Sequence, residues 1–176
     1  MNTDAIGAVG HSQGAIGSLN AMIASHGAIK TAVTIELPLQ LSCLPGLCAD
    51  TRRLDQGSVF FVNGAADSIV SPSTQPGQAN GLQSNQAYYD ATPATITKAR
   101  ATLNGANHND VQGQPDCATA SVPCGTGVYG YLGYPTAWLL DQLGNDARAH
   151  SVFVAGTGEL FDETSTWSNQ YSNITG

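Results

Sequence analysis

Short apolar runs alternate along the chain with amphipathic segments, a pattern typical of a parallel sheet covered by helices. The apolar, often β-branched runs predict four strands, at residues 5–9, 31–37, 58–62 and 95–103. A helix is predicted over residues 15–25, because apolar residues recur there at helical spacing, namely Ile16, Leu19, Met22 and Ile23. Further helices are predicted at residues 82–90, 134–143 and 147–154.

The remaining segments are polar and rich in turn-forming residues. Residues 71–81 and the stretch around the second cysteine pair are predicted to be irregular, and the polar, aromatic chain from Gly156 onwards is expected to form a packed coil or a last strand. A length of 176 residues suits one domain. We therefore predict a single α/β domain over residues 1–176, with a mostly parallel sheet of about four strands flanked by helices.

A GxSxG motif, Gly10-His11-Ser12-Gln13-Gly14, lies between the first predicted strand and the first predicted helix. In a nucleophile elbow, a sharp strand-to-helix turn exposes a serine hydroxyl, and small flanking residues permit the strained backbone. The same turn directs the amide of the next residue, here Gln13, at a developing oxyanion. Ser12 is therefore the candidate nucleophile, although an ordinary glycine turn would have the same residues.

A serine hydroxyl needs a histidine to take its proton, and four histidines are available. His108 directly follows the fourth predicted strand, so we expect it at the same sheet edge as Ser12. His11 adjoins the nucleophile and is expected to point away from its hydroxyl, while His26 closes a helix and His150 lies in a helical segment. His108 is the candidate base.

The histidine in turn needs a carboxylate to orient it. Asp67 follows the third predicted strand, and the chain order Ser12, Asp67, His108 is the order expected of this kind of site. Asp110 is too close in sequence to His108 to be the obvious partner. Glu36, at the end of the second predicted strand, is the serious rival, because an acid can move to that neighbouring strand, although it could also simply cap the strand.

Charge and composition narrow the class of partner. Only 11% of the residues are charged, and the formal net charge is -7 with a pI near 4.7. Such a chain lacks a basic surface for a phosphate backbone, so nucleic acid is excluded as a partner. No apolar run approaches the ~20 residues that a membrane span requires, and no signal peptide opens the chain. The abundance of small polar residues suits an exported protein.

The four cysteines fall into two close pairs, Cys43 with Cys48 and Cys117 with Cys124. Two short-range disulfides are the natural pairing, which would place the protein in an oxidising, secreted or periplasmic compartment. A zinc site is the competing interpretation, but neither spacing is that of a CxxC knuckle.

These motifs resemble the α/β-hydrolase fold, and more narrowly the bacterial dienelactone-hydrolase-like enzymes and the cutinase-like polyester-hydrolase lipases. The resemblance rests on the GxSxG motif, on Asn63-Gly64 with Asp67, and on Gly105-Ala106-Asn107-His108. It implies hydrolysis of carboxylic esters through an acyl-enzyme, without a cofactor. It further implies a substrate contact at Leu37, where polyester hydrolases have an aromatic residue; they also have Met in place of Gln13.

In this family the nucleophile strand is the fifth of eight, and the loop after the third strand supplies a second oxyanion amide. Only four residues precede the first predicted strand here. If that donor is worth ~3 to 4 kcal/mol of barrier, its loss slows turnover by roughly a hundredfold to a thousandfold. The first strand would also present an unpaired edge, so we expect a homo-oligomer, an amino-terminal partner, or coverage by residues 156–176.

Two functions follow from these observations. The first is a serine esterase or lipase acting on small-molecule or polymeric esters, with Ser12, His108 and Asp67 as its triad and Gln13 at the oxyanion; thioesters and peptides would use the same triad. The second is a weak or inactive hydrolase fragment that serves as an assembly or binding module.

Overall fold

The molecule is built on one five-stranded sheet with helices on both faces. The structure, a computed structural model, describes residues 3–44, 46–74, 81–112, 117 and 124–176. The strands are β1 (Ile6–His11), β2 (Ile29–Ile35), β3 (Ser58–Gly64), β4 (Thr97–Leu103) and β5 (Trp167–Ser172). They lie side by side in chain order, with β1 to β4 parallel and β5 antiparallel to β4. The helices are α1 (Gln13–Ala24), α2 (Asn85–Ala91), α3 (Gly133–Gly144), α4 (Ala147–Val152) and α5 (Glu159–Asp162).

Two apolar clusters, one on each face of the sheet, hold these layers together. Phe61 of β3 packs in the cluster that contains residues of α1 and α2, whereas its neighbour Phe60 packs in the cluster that contains α3. On that second face Phe60 stacks on Trp138, with ring centroids 5.5 Å apart. Successive side chains of a strand point to opposite faces, so a fully apolar strand can serve both clusters.

The predicted strands and helices are present, and the differences lie at their ends. β2 ends at Ile35 instead of residue 37, because Glu36 adopts a left-handed backbone with φ 52°. α1 begins at Gln13 instead of residue 15, because Ser12 already occupies the N-cap position. Residues 75–80 of the predicted turn-rich segment, and residues 113–116 and 118–123 around the second cysteine pair, lie outside the described residues.

The carboxyl-terminal segment corrects two expectations. It forms β5, so the sheet has five strands instead of about four. It pairs with β4, at the edge opposite β1, so the expectation that residues 156–176 cover the β1 edge is wrong. The anchor is Trp167, which is buried and lies edge-on to Tyr134 at 5.3 Å between ring centroids. The preceding helix, α5, was not predicted.

β1 is therefore an edge strand in the part of the chain that the structure describes. It is hydrogen-bonded to β2, and α3 packs on one of its faces, where Leu139 and Leu143 lie near Gly7. Ile6 is 38% exposed and Val9 is 52% exposed. An apolar edge of this kind can pair with another strand.

Both predicted disulfides are present, Cys43–Cys48 and Cys117–Cys124. They are compatible with an extracytoplasmic protein, because such bonds persist in oxidising compartments. Among the helices of the described residues, none has the length and apolar character needed to cross a membrane.

Candidate active site

Ser12 lies at the point where β1 ends and α1 begins. Its amide donates to the carbonyl of Ile35 at 3.0 Å, and its backbone then turns with φ 55° and ψ -122°. A non-glycine residue in this region stores on the order of 1–3 kcal/mol of strain. A side chain at Gly10 would run into the backbone of Gly14, whereas a side chain at Gly14 would meet open space. The tight turn therefore needs glycine at Gly10, and Gly14 matters through its backbone.

Three side chains that are far apart in sequence form one hydrogen-bonded chain. The Ser12 hydroxyl lies 2.9 Å from His108 Nε2, and His108 Nδ1 lies 2.6 Å from Asp67 Oδ2. Since a carboxylate only accepts, Nδ1 carries the proton and Nε2 is left to accept from the serine hydroxyl. The structure thus brings together the three residues that the sequence analysis singled out, at the carboxyl ends of β1, β3 and β4.

Asp67 is held in its ionised form. Its side chain is only 3% exposed, and burial by itself would raise its pKa. Hydrogen bonds from His108, from Glu36 and from the Val70 amide outweigh burial and lower the pKa of Asp67 to about 2. An ionised Asp67 stabilises the imidazolium that forms when His108 takes a proton.

The loop that carries His108 is fixed by a second buried acid. Asp110 is fully buried and accepts hydrogen bonds from the amides of Asn107, Gly125, Thr126 and Gly127. Burial alone would raise the pKa of Asp110, but these amides lower it. Asp110, which is too close in sequence to His108 to be its expected partner, therefore stabilises the loop that carries His108.

His11 contacts the backbone of His108. Its Nε2 lies 2.9 Å from the backbone carbonyl of His108, to which it donates, and the two rings are 4.8 Å apart. Burial and the neighbouring His108 lower the pKa of His11, which favours the neutral form of its ring. No local pattern predicts this contact, because 97 residues separate the two histidines.

Glu36 is also at the site. It is completely buried, its Oε1 accepts a hydrogen bond from the Gly64 amide at 2.8 Å, and the Tyr131 hydroxyl donates to the same oxygen. Asp67, not Glu36, contacts His108. Glu36 is the rival acid that its place after the second predicted strand suggested, whereas no sequence pattern indicated Tyr131, whose position depends on a loop with no regular pattern.

A cleft of about 310 Å³ opens beside His108 and Asp67. Ile69, which is 80% exposed, and Val70 give it an apolar wall, and Asn107 lies on its polar side. A larger cleft of about 480 Å³, around Tyr134 and Trp167, contains none of the three hydrogen-bonded residues. The smaller cleft is lined by His108 and Asp67, whereas Ser12 is not among its lining residues.

Gln13 and Leu37 are the two other predicted site residues. Gln13 is the first residue of α1, and the Ser12 side chain does not cap that helix. Leu37 is 2% exposed and belongs to the cluster around α1 and α2, so a substrate contact at this residue stays a prediction.

Two groups of potential metal ligands occur in the described part of the chain, each within 4.8 Å. The first is Asp110 with Cys117 and Cys124, whose sulfur atoms are joined to each other. The second is Glu36, Asp67 and His108, which are hydrogen-bonded among themselves. The disulfide in the first group argues against a zinc site at these cysteines, because a disulfide offers no thiolate.

No protein-family model matches the sequence, and a search of curated proteins finds no similar one.

Proposed function

We propose that the protein is a serine hydrolase of carboxylic esters that works through an acyl-enzyme. The observation that carries the proposal is the continuous chain from the Ser12 hydroxyl through His108 to Asp67, with distances of 2.9 and 2.6 Å. The strained turn at Ser12 and the order of the three residues along the chain support the resemblance to the α/β-hydrolase fold.

In the first half of the reaction, Ser12 Oγ attacks the ester carbonyl carbon while its proton passes to His108 Nε2. Asp67 holds the resulting imidazolium, and the Gln13 amide at the start of α1 stabilises the oxyanion. The bond to the alcohol then breaks, and His108 gives the alcohol its proton. An acyl group is left on Ser12.

In the second half, His108 removes a proton from water, and the hydroxide attacks the acyl carbon. The bond to Ser12 Oγ breaks, the carboxylic acid leaves, and the proton returns to the serine from His108. The residues of the chain itself carry every proton transfer, so the scheme uses no cofactor.

The cleft beside His108 supports a small substrate. Its volume of about 310 Å³ lies at the lower end of the range for ligand pockets, and Ile69 gives it an apolar wall. We therefore propose esters with short or medium acyl chains, including the chain ends of polyesters. The two disulfides support action outside the cytoplasm.

The test is hydrolysis of p-nitrophenyl acetate and butyrate by the wild type and by Ser12→Ala. We expect activity above buffer that falls at least about a thousandfold in the variant. Ser151→Ala, an exposed serine whose hydroxyl contacts the Arg148 carbonyl, is the matched control and should keep the wild-type rate. Equal rates for the wild type and Ser12→Ala would refute the esterase and favour the binding module.

We also propose that the β1 edge pairs with a second copy of the chain. The exposed Ile6 and Val9 on an edge without Pro or Lys support this proposal. Sedimentation velocity of the wild type should show a dimer that Val9→Lys dissociates. A wild-type monomer at all concentrations would contradict it.

A further inference from the structure

A second carboxyl group lies directly behind the Asp67 side chain. Glu36 Oε1 is occupied by the Gly64 amide and the Tyr131 hydroxyl. Glu36 Oε2 is fully buried, and no N–H group of the described residues donates to it. The Glu36 side chain is in hydrogen-bond contact with the carboxyl of Asp67, and one ligand atom of each of Glu36, Asp67 and His108 lies within 4.8 Å of the others.

Two buried carboxyl groups in hydrogen-bond contact share one proton, because two adjacent negative charges repel strongly in a low dielectric. The environment decides which group keeps the proton. Asp67 accepts from His108 Nδ1 and from the Val70 amide, both of which favour its charged form. Glu36 lies deeper, at 0% exposure against 5% for Asp67. These surroundings favour the charged form of Asp67 and the protonated form of Glu36.

The position of that proton follows from the contacts. Oε1 already receives two donors, so it has no room for a proton of its own. Oε2 is the remaining oxygen, and the acceptor that is in hydrogen-bond contact with the Glu36 side chain is the Asp67 carboxylate. A protonated carboxyl group has one O–H to donate, and here it has one acceptor.

We propose that Glu36 is a positioning residue, which stays protonated and donates a hydrogen bond from Oε2 to Asp67, so that Asp67 holds the His108 ring in its reactive orientation. The inference rests on the proposed esterase function, since the ring that is positioned is the proposed base.

The electrostatics agree with this geometry. Burial, followed by the contact with Asp67, raises the pKa of Glu36 to about 9, although Tyr131 and the Gly64 amide oppose the rise. The titratable groups around this pair are Asp67, His108 and His11 at the hydrogen-bonded chain, with Tyr131 and Asp110 behind them. Burial and Glu36 raise the pKa of Tyr131 far above its usual range, so Tyr131 stays a donor throughout.

Two substitutions at Glu36 are expected to have different effects. Glu36→Gln keeps an N–H donor toward Asp67 without a charge, so we expect kcat within about threefold of the wild type near neutral pH. Glu36→Ala removes the donor, so we expect kcat to fall about 10- to 100-fold with little change in KM. Glu159→Gln, remote from the site and exposed, is the matched control and should change neither constant.

The pH dependence of activity also tests the role of Glu36, because a purely structural role would not change that dependence. Above about pH 9 the wild type should lose activity as Glu36 gives up its proton, whereas Glu36→Gln, which cannot titrate, should keep its activity there. A large loss in Glu36→Gln at neutral pH, or an unchanged alkaline limb in that variant, would overturn the proposal. If Glu36→Ala does not fold, the comparison of Glu36→Gln with the wild type still tests the proposed role of Glu36.

Infrared spectroscopy separates this inference from the esterase function. The difference spectrum between the wild type and Glu36→Gln at neutral pH should contain the C=O band of a protonated carboxyl, and the band should vanish on alkaline titration. Absence of the band overturns the role of Glu36 even in an active enzyme. A wild type no faster than Ser12→Ala overturns the esterase function, and the positioning role with it, whatever the spectrum contains.

Discussion

Two histidine–aspartate pairs occur among the described residues, and of these two only one is part of a longer hydrogen-bonded chain. His108 Nδ1 lies 2.6 Å from Asp67, and His150 Nδ1 lies 3.1 Å from Asp141. Both aspartate side chains are buried, with 3% and 6% exposure. In the first pair the other ring nitrogen meets the Ser12 hydroxyl, whereas no such contact forms at His150 within the described residues.

The difference lies in where the fold places each pair. His108 and Asp67 follow parallel strands whose carboxyl ends meet Ser12, and their backbones are fixed by buried contacts. His150 and Asp141 belong to α4 and α3, where the pair joins two neighbouring helices, and Gln142 shares the carboxylate at 2.7 Å. A histidine beside an aspartate is therefore no indication of catalysis until a third group is placed on its free nitrogen.

The largest expected effect is a loss of kcat that occurs when the Asp67 pair is altered and not when the Asp141 pair is altered. Asp67→Asn should lower kcat for p-nitrophenyl butyrate about 10³- to 10⁴-fold, because the imidazole loses its orienting carboxylate. Asp141→Asn should stay within about twofold. Initial rates at substrate saturation measure both, and similar losses in the two variants would mean that the Asp67 pair has no special role.

The turn at Ser12 provides the next test. Gly10→Ala should destabilise the fold by about 3 kcal/mol or more, because its Cβ collides with the backbone of Gly14. Gly14→Ala meets open space in a helix and should be neutral or slightly stabilising. Urea unfolding measures both free energies. Equal losses would contradict the close approach of the two glycines.

A third prediction concerns the pH dependence of stability. The folded-state pKa of Glu36 is raised from 4.5 to about 9, so its contribution to stability is complete below about pH 4.5 and is lost as the pH rises to about 9. Glu36→Gln has no proton to lose, so its unfolding free energy should exceed that of the wild type by on the order of 3 kcal/mol near pH 7. Urea titrations between about pH 4 and 9 should show the gap widening, whereas a constant gap would mean that Glu36 is ionised.

The smallest expected effect is at His11. His11→Ala removes the hydrogen bond to the His108 carbonyl, and we expect kcat to fall about threefold to tenfold. His150→Ala, in the other pair, should leave kcat unchanged. Steady-state kinetics at neutral pH compares them, and an unaltered rate in His11→Ala would show that the His108 loop needs no such support.

Local sequence patterns were sufficient to predict the parallel strands, the two disulfides and the three candidate residues. The apolar runs located β1 to β4, because a strand of a covered parallel sheet must be apolar along its length. Close spacing predicted both disulfides, since short loops keep paired cysteines near each other. The rule that parallel strands end at one edge was enough to nominate Ser12, Asp67 and His108 together.

The amino-acid sequence by itself thus determined the α/β pattern, the strained serine turn and the identity of the residues that follow each parallel strand, because these depend on neighbours in the chain. The tertiary structure decided which edge β5 joins, that His11 contacts the His108 backbone, and that Glu36 meets Asp67 instead of replacing it. Each of these depends on burial and on contacts between distant segments, and the protonation of a carboxyl group is set by the groups around it in space.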